Sequence, residues 1–133
     1  MKKILVADDD PQFADIIVFL LRKEGYAVDV AANEPQVLNR LSQTNYDVIL
    51  QDVFFPDKDR GLNLLKKMYD SIRENNTILI LITSMPIQLF EQEENINDYL
   101  QISQKLLSKT ENQKAIVEGV KEALKAQNNS STN

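Results

Sequence analysis

The sequence predicts an α/β domain, a doubly wound parallel sheet in three layers. Two observations carry that reading. Short apolar runs such as Ile4–Ala7, Val48–Leu50 and Ile78–Ile82 are each followed by a stretch with helical periodicity, the mark of buried parallel strands joined by crossover helices. Acidic residues close the first two runs, Asp8-Asp9-Asp10 after one and Asp52 after the other. In an open parallel sheet the ligand cleft lies outside the carboxyl ends of the strands, where strand order reverses. If those two strands are neighbours, up to four carboxylates meet in one cleft. Each pair of charges 4 Å apart repels by about 4 kcal/mol at a surface-like dielectric, so the cluster points to a cation site.

The elements follow in order. Lys3 to Asp8 reads as strand one. Asp10 then caps a helix that has Pro11 at its first position, Phe13, Ile16, Ile17, Leu20 and Leu21 on its apolar stripe, and Gly25 as its stop. Tyr26 to Ala31 is strand two, with Ala27, Asp29 and Ala31 on one face and Val28 and Val30 on the other. Asn33-Glu34-Pro35 opens helix two, whose stripe is Val37, Leu38 and Leu41, and Asp47 to Asp52 is strand three. A loop from Val53 to Arg60 leads to helix three, about Gly61 to Glu74, with Leu62, Leu65, Met68, Tyr69 and Ile72 at helical spacing. Thr77 to Ile82, unbroken and apolar, is a central strand four, and Pro86 to about Ser103 is an acidic helix four. Leu106-Leu107-Ser108 is strand five; Glu111 to Ala126 is helix five, built on Ile116, Val117, Val120 and Leu124. Residues 1–126 form the domain, and 127–133 read as a polar tail or the start of a linker.

Composition narrows the chemistry. With 133 residues, 43% of them hydrophobic, the chain suits one domain. It has no cysteine and no histidine, so thiol chemistry, zinc–thiolate sites, an imidazole base and phosphohistidine are excluded. Any metal is held by oxygen, which favours magnesium, calcium or manganese. A net charge of −5 argues against direct nucleic-acid binding, which needs a basic face. No run approaches the ~18 apolar residues of a membrane span, and Met1-Lys2-Lys3 leads into strand one without a signal-peptide pattern; the expectation is a cytoplasmic protein.

Four groups fall where strands end: Asp8-Asp9-Asp10, Asp52, Thr83-Ser84 and Lys109. Each has a plainer reading as well. Aspartates before a helix cap it and complement its dipole, Asp52 could be a solvated strand end, Thr83-Ser84 a helix start, and Lys109 a surface lysine with Lys105 as competitor. Taken together, "KILVADDDP", "YDVILQDVFFPDKDRGLNLLKKM", "ILILITS" and "LLSKT" resemble the receiver domain of bacterial two-component response regulators. The resemblance runs from Lys3 to about Ala126. It implies a flavodoxin-like sheet of order 2-1-3-4-5 with five helices. It further implies a phosphorylation-switched signalling module rather than an enzyme, catalysing only its own phosphorylation and dephosphorylation. Asp52 would accept a phosphoryl group from a sensor histidine kinase or phosphotransfer protein. Mg2+ would be held by Asp9 directly, by Asp8 through water, by Asp52, and by the Phe54 backbone carbonyl. Thr83 would donate its hydroxyl, and Lys109 its charge, to phosphoryl oxygens. The output would be a changed contact with a downstream protein or domain, with helix four, strand five and helix five as candidates for a homodimer face.

The chain also departs from that pattern. Gly61 stands nine residues after Asp52 where eight is usual, and the longer loop brings Asp57 and Asp59 near the site. The interval from Thr83 to Lys109 is long. Thr110 follows the lysine in place of a cis-bonded proline, so a trans bond is expected there. Leu106 occupies the position of a switching aromatic, for which Tyr99 is a candidate substitute, and Ser84 adds a hydroxyl beside Thr83. Two other functions share some of these residues. A pseudo-receiver would dock partners without phosphorylation. A haloacid-dehalogenase-type phosphatase would use Asp8 and Asp10, but it would leave Asp52 without a role and needs a cap segment that the sequence lacks.

Overall fold

The structure, a computed structural model, describes residues 1–57 and 60–131, the side chains of 128–131 excepted. Five parallel strands form one sheet in the order β2-β1-β3-β4-β5. They are β1 (Lys3–Ala7), β2 (Ala27–Ala31), β3 (Val48–Asp52), β4 (Ile78–Thr83) and β5 (Lys105–Ser108). Six helices are described: α1 (Pro11–Lys23), α2 (Glu34–Gln43), α3 (Gly61–Glu74), α4 (Ile87–Phe90), α5 (Ile96–Ile102) and α6 (Gln113–Ser131). The chain leaves β1 toward β2 on one side and returns to β3 on the other, so the switch point lies between β1 and β3.

Alternation along the strands divides the core into two layers. Ile4, Val6, Val48, Leu50, Ile80 and Ile82 meet α1 and α6 through Ile17, Leu21, Ile116 and Val120. Leu5, Ala7, Ile49, Leu79 and Leu81 meet α2, α3, α4 and α5 through Val37, Leu64, Met68, Phe90 and Tyr99. The central β4 is buried along its whole length. Gly25 has φ +96°, the left-handed turn that ends α1. Gly61 opens α3 so close to β3 that a Cβ there would collide with the Val53 carbonyl.

Three expectations need correction. The single acidic helix from Pro86 to Ser103 is two short helices, with Glu91 to Asn95 between them. Between Phe90 and Ile96 no apolar residue offers a face to bury, and Glu91 and Glu94, three apart, would repel on a helix surface. The domain therefore has six helices rather than five. The last helix starts at Gln113, where Asn112 Oδ1 accepts the Ala115 N–H at 2.8 Å, and it runs on to Ser131 through the expected polar tail. Gln127 Nε2 donates to the Asn76 carbonyl at 2.9 Å. On α1, Ile16 is 45% exposed and Ala14 and Val18 take the inner positions with Ile17 and Leu21. On α2 only Val37 is buried, and Tyr69 of α3 is 38% exposed.

One buried polar group lacks compensation. Gln51, fully buried one residue before Asp52, has no hydrogen-bond partner for either atom of its amide among the described residues. An orphaned buried polar group costs about 1–3 kcal/mol. Gln51→Leu, of similar size, is therefore expected to raise stability by about that amount, read as a higher urea midpoint at unchanged m-value. An unchanged or lower midpoint would mean that the amide is satisfied in solution.

Candidate functional site: a lysine between two strand-end carboxylates

The site is assembled by register. Ala7 pairs with Gln51 across β1 and β3, Asp52 with Ile82 across β3 and β4, and Thr83 with Ser108 across β4 and β5. The strands thus end side by side, and Asp8, Asp52, Thr83 and Lys109 stand at one edge. Lys109 Nζ lies 2.6 Å from Asp8 Oδ2 and 2.9 Å from Asp52 Oδ2. The Asp8 side chain is 2% exposed, that of Asp52 13% and that of Lys109 14%. The ammonium also sits 4.4 Å from the ring centroid of Phe13 on α1.

The remaining carboxylate oxygens are held by the local backbone. Asp8 Oδ1 accepts the Asp10 N–H at 2.9 Å, and Asp52 Oδ1 accepts the Phe54 N–H at 2.8 Å. The three aspartates divide their work. Asp10 is the N-cap of α1, accepting from Gln12 and Phe13 N–H groups, Asp9 is exposed, and Asp8 is buried. The four carboxylates expected to converge are thus two, Asp8 and Asp52, joined by the lysine; a cap must face its own helix, which turns Asp10 away. Asp57 is engaged by Arg60, with Arg60 Nη2 at 2.6 Å, and Asp59 lies outside the described residues.

Of the two lysines left open by the sequence, Lys109 is the one at the acidic pair; Lys105 pairs with Glu122 at 2.9 Å. Thr83 is fully buried, and its hydroxyl oxygen accepts the Met85 N–H at 3.2 Å. Its carbonyl accepts the Lys109 N–H at 2.8 Å. Ser108 Oγ donates to the Met85 carbonyl at 2.8 Å and lies 2.7 Å from Thr110 Oγ1. The Lys109–Thr110 bond is trans, the cis bond among the described residues being Phe55–Pro56. Ser84 is exposed and Leu106 half-buried. Tyr99 is buried edge-on against Phe90, centroids 5.5 Å apart, and Phe90 against Phe54 at 6.0 Å.

One cation among two anions leaves the cluster short of positive charge. Burial holds the Asp8 carboxyl above its usual value; Lys109 and the Asp10 N–H offset this only in part, and the Asp52 charge adds to it. Burial works against the Lys109 charge, yet the hydrogen bonds to Asp8 and Asp52 outweigh it and hold the ammonium above its usual value. The same excess of negative charge fits a hard divalent cation. The donors are all oxygen, and no three acidic side chains among the described residues form a ready-made cage. Mg2+ is suited to that arrangement, being held by one or two carboxylates with water and phosphate completing its shell. Asp8, Asp9, Asp52 and the Phe54 carbonyl are the groups that would hold it.

The family model for the response regulator receiver domain matches residues 4–121. The chain belongs to that family. As a receiver domain it is similar to a CheY-like receiver domain from Methanospirillum hungatei JF-1, with 26% identity, a TM-score of 0.81 and 98% of each chain covered. It is also similar to the response regulator TrrA of Thermotoga maritima, solved in complex with Mg(2+)-BeF, with 25% identity, a TM-score of 0.72, and 92% of this chain and 98% of that one covered. Among curated proteins, the transcriptional regulatory protein ResD of Bacillus subtilis is 34% identical over 83 residues, 62% of this chain and 32% of ResD. The match thus spans about a third of that relative's length. Among the described residues no helix is long and apolar enough to cross a membrane.

Three contributors were not legible as site residues. Phe13 reads as one more member of an apolar stripe, Gln51 as the end of an apolar run, and Ser108 as a strand terminus. Phe13 at the third helical position after the capping Asp10 was the one available signal, since the first turn of α1 starts beside Asp8.

The raised Asp8 carboxyl fixes the sign of a stability test. Its protonated form is favoured by folding, so its contribution is whole below about 3.8 and is lost as pH rises through the raised value. In magnesium-free buffer, Asp8→Asn is therefore expected to melt at a higher temperature than the parent chain at pH 7, with the gap closing as pH falls toward 3.8. A less stable Asp8→Asn at pH 7 would contradict the assignment.

Proposed function

We propose that this receiver domain accepts a phosphoryl group on Asp52, with Mg2+ bound, and thereby switches a protein-interaction surface. The observation that carries the reading is the Lys109 ammonium in contact with both Asp8 and Asp52 at the ends of adjacent strands. Asp52 Oδ2 would attack phosphorus, forming the O–P bond as the P–N bond of a donor phosphohistidine breaks. The imidazole nitrogen leaves with the electron pair and takes a proton from water. Residues 1–133 contain no histidine, so the donor imidazole would come from a sensor kinase or phosphotransfer protein or domain outside them. Magnesium, when bound, supplies neutralisation of the charge developing on the phosphoryl oxygens. Lys109 orients one of those oxygens, and the Thr83 hydroxyl, which accepts the Met85 N–H and keeps its own proton to donate, orients another. The Phe54 N–H fixes the rotamer of Asp52 before the attack.

The downstream partner is a protein or a domain in the same polypeptide. Similarity to part of ResD, a transcriptional regulatory protein, is consistent with an effector acting on transcription. Thr83 is tied to Met85, and Met85 to Ser108, so motion of Thr83 toward a phosphoryl group would carry the segment before α4 with it.

Intact mass after incubation with Mg2+ and acetyl phosphate tests this directly. One phosphoryl adduct is expected on the parent chain, removable by hydroxylamine as an acyl phosphate is, and none on Asp52→Asn. An adduct of equal yield on Asp52→Asn would overturn the assignment. Continuous turnover of phosphate esters without Asp52 would favour the phosphatase. Unchanged partner binding by Asp52→Asn, with no adduct on the parent, would favour the pseudo-receiver.

A further inference from the structure

Among the described residues the Lys109 ammonium meets three groups, and the proposed acceptor role uses two of them. Asp8 and Asp52 each take a hydrogen bond, at 2.6 and 2.9 Å. The third contact is the face of Phe13, with Nζ 4.4 Å from the ring centroid. Phe13 is half-buried, packed against the layer that holds α1 to the sheet. Its position is set by the same aspartate run that supplies the acid. Asp10 N–H donates to Asp8 Oδ1, and Asp10 Oδ1 accepts from Phe13 N–H at 3.4 Å. The first turn of α1 thus places a negative oxygen and the negative face of a ring on the same cation.

We propose that Phe13 is a positioning residue for phosphoryl transfer, holding the Lys109 ammonium over the Asp52 carboxylate by a cation–π contact. The proposal rests on the acceptor role of Asp52. Its physical basis is the difference between the two kinds of attraction. A hydrogen bond to Asp52 Oδ2 must be surrendered when that oxygen becomes part of the acyl phosphate, and Lys109 must then turn to a phosphoryl oxygen. The ring attracts the cation without dictating the direction of its N–H bonds. It therefore keeps the ammonium in place while its donors change partner. It also covers one side of the ammonium, on a side chain that is 14% exposed, so that less water competes for the phosphoryl oxygens.

Progressive fluorination tests the electrostatic part separately from shape, because each ring fluorine weakens the negative face while changing size little. Phe13 would be replaced by mono-, di- and trifluorophenylalanine, and by leucine, and the rate of Asp52 labelling read at saturating acetyl phosphate with Mg2+. The logarithm of the rate is expected to fall stepwise with fluorine count. Phe13→Leu is expected to lose about tenfold, equivalent to about 1.4 kcal/mol. Hydrolysis of the acyl phosphate should slow along the same series, since it too needs the ammonium in place. Labelling rates that ignore fluorine count, or a Phe13→Leu rate within about twofold of the parent's, a difference of about 0.4 kcal/mol, would overturn the proposal while leaving the acceptor role of Asp52 intact. Failure of the parent chain to label at all would remove the acceptor reading instead.

Discussion

The architecture depends on one ammonium standing between two carboxylates that the sheet forces together. Asp8 and Asp52 close neighbouring parallel strands, and both are taken largely out of water. Their repulsion is a fixed consequence of strand order. The cation that relieves it arrives from β5, two strands beyond β3. Lys109 reaches the pair because its own backbone is pinned to Thr83. A one-residue slip of β5 would turn its side chain to the opposite face. The ion cluster is therefore a check on register across four strands, and the registry of the sheet is what brings its three charges together.

That compensation is incomplete by design of the charges themselves. Two anions and one cation leave a negative excess in a cleft where water is scarce, and Asp8 carries it as a raised carboxyl. The orphaned amide of Gln51 lies directly before Asp52 on the same strand. Both features lower stability at the place where a divalent cation or a phosphoryl group would act, the expected pattern where function and folding compete.

The fold was readable because its signals are redundant. Unbroken apolar runs, the Asp10-Pro11 start and the Gly25 stop of α1, and acidic strand ends all agree. Where signals conflicted, the reading failed: Pro86 and the flanking apolar residues suggested one helix, while the polar stretch Glu91 to Asn95 had nothing to bury and breaks it. The choice of Lys109 over Lys105 needed the register, since both precede or follow the same apolar pair. The separate fates of Asp8, Asp9 and Asp10 could not be read from three identical letters, because burial, exposure and capping are decided by where the helix starts. The contact of Phe13 with Lys109 joins residues ninety-six positions apart and leaves no periodic trace. The aromatic series Phe54, Phe90 and Tyr99 likewise links the loop after β3 to the split helices through packing alone.

The most direct test of the account is a crystal structure of the chain with Mg2+ and beryllium trifluoride, a stable stand-in for the phosphoryl group. The account predicts beryllium bonded to Asp52 Oδ2, the metal held by Asp8, Asp9, the other Asp52 oxygen and the Phe54 carbonyl, and Lys109 Nζ moved from Asp52 to a fluoride. Beryllium fluoride on another residue, or a Lys109 still closing the Asp8–Asp52 pair with both ligands present in excess, would contradict it.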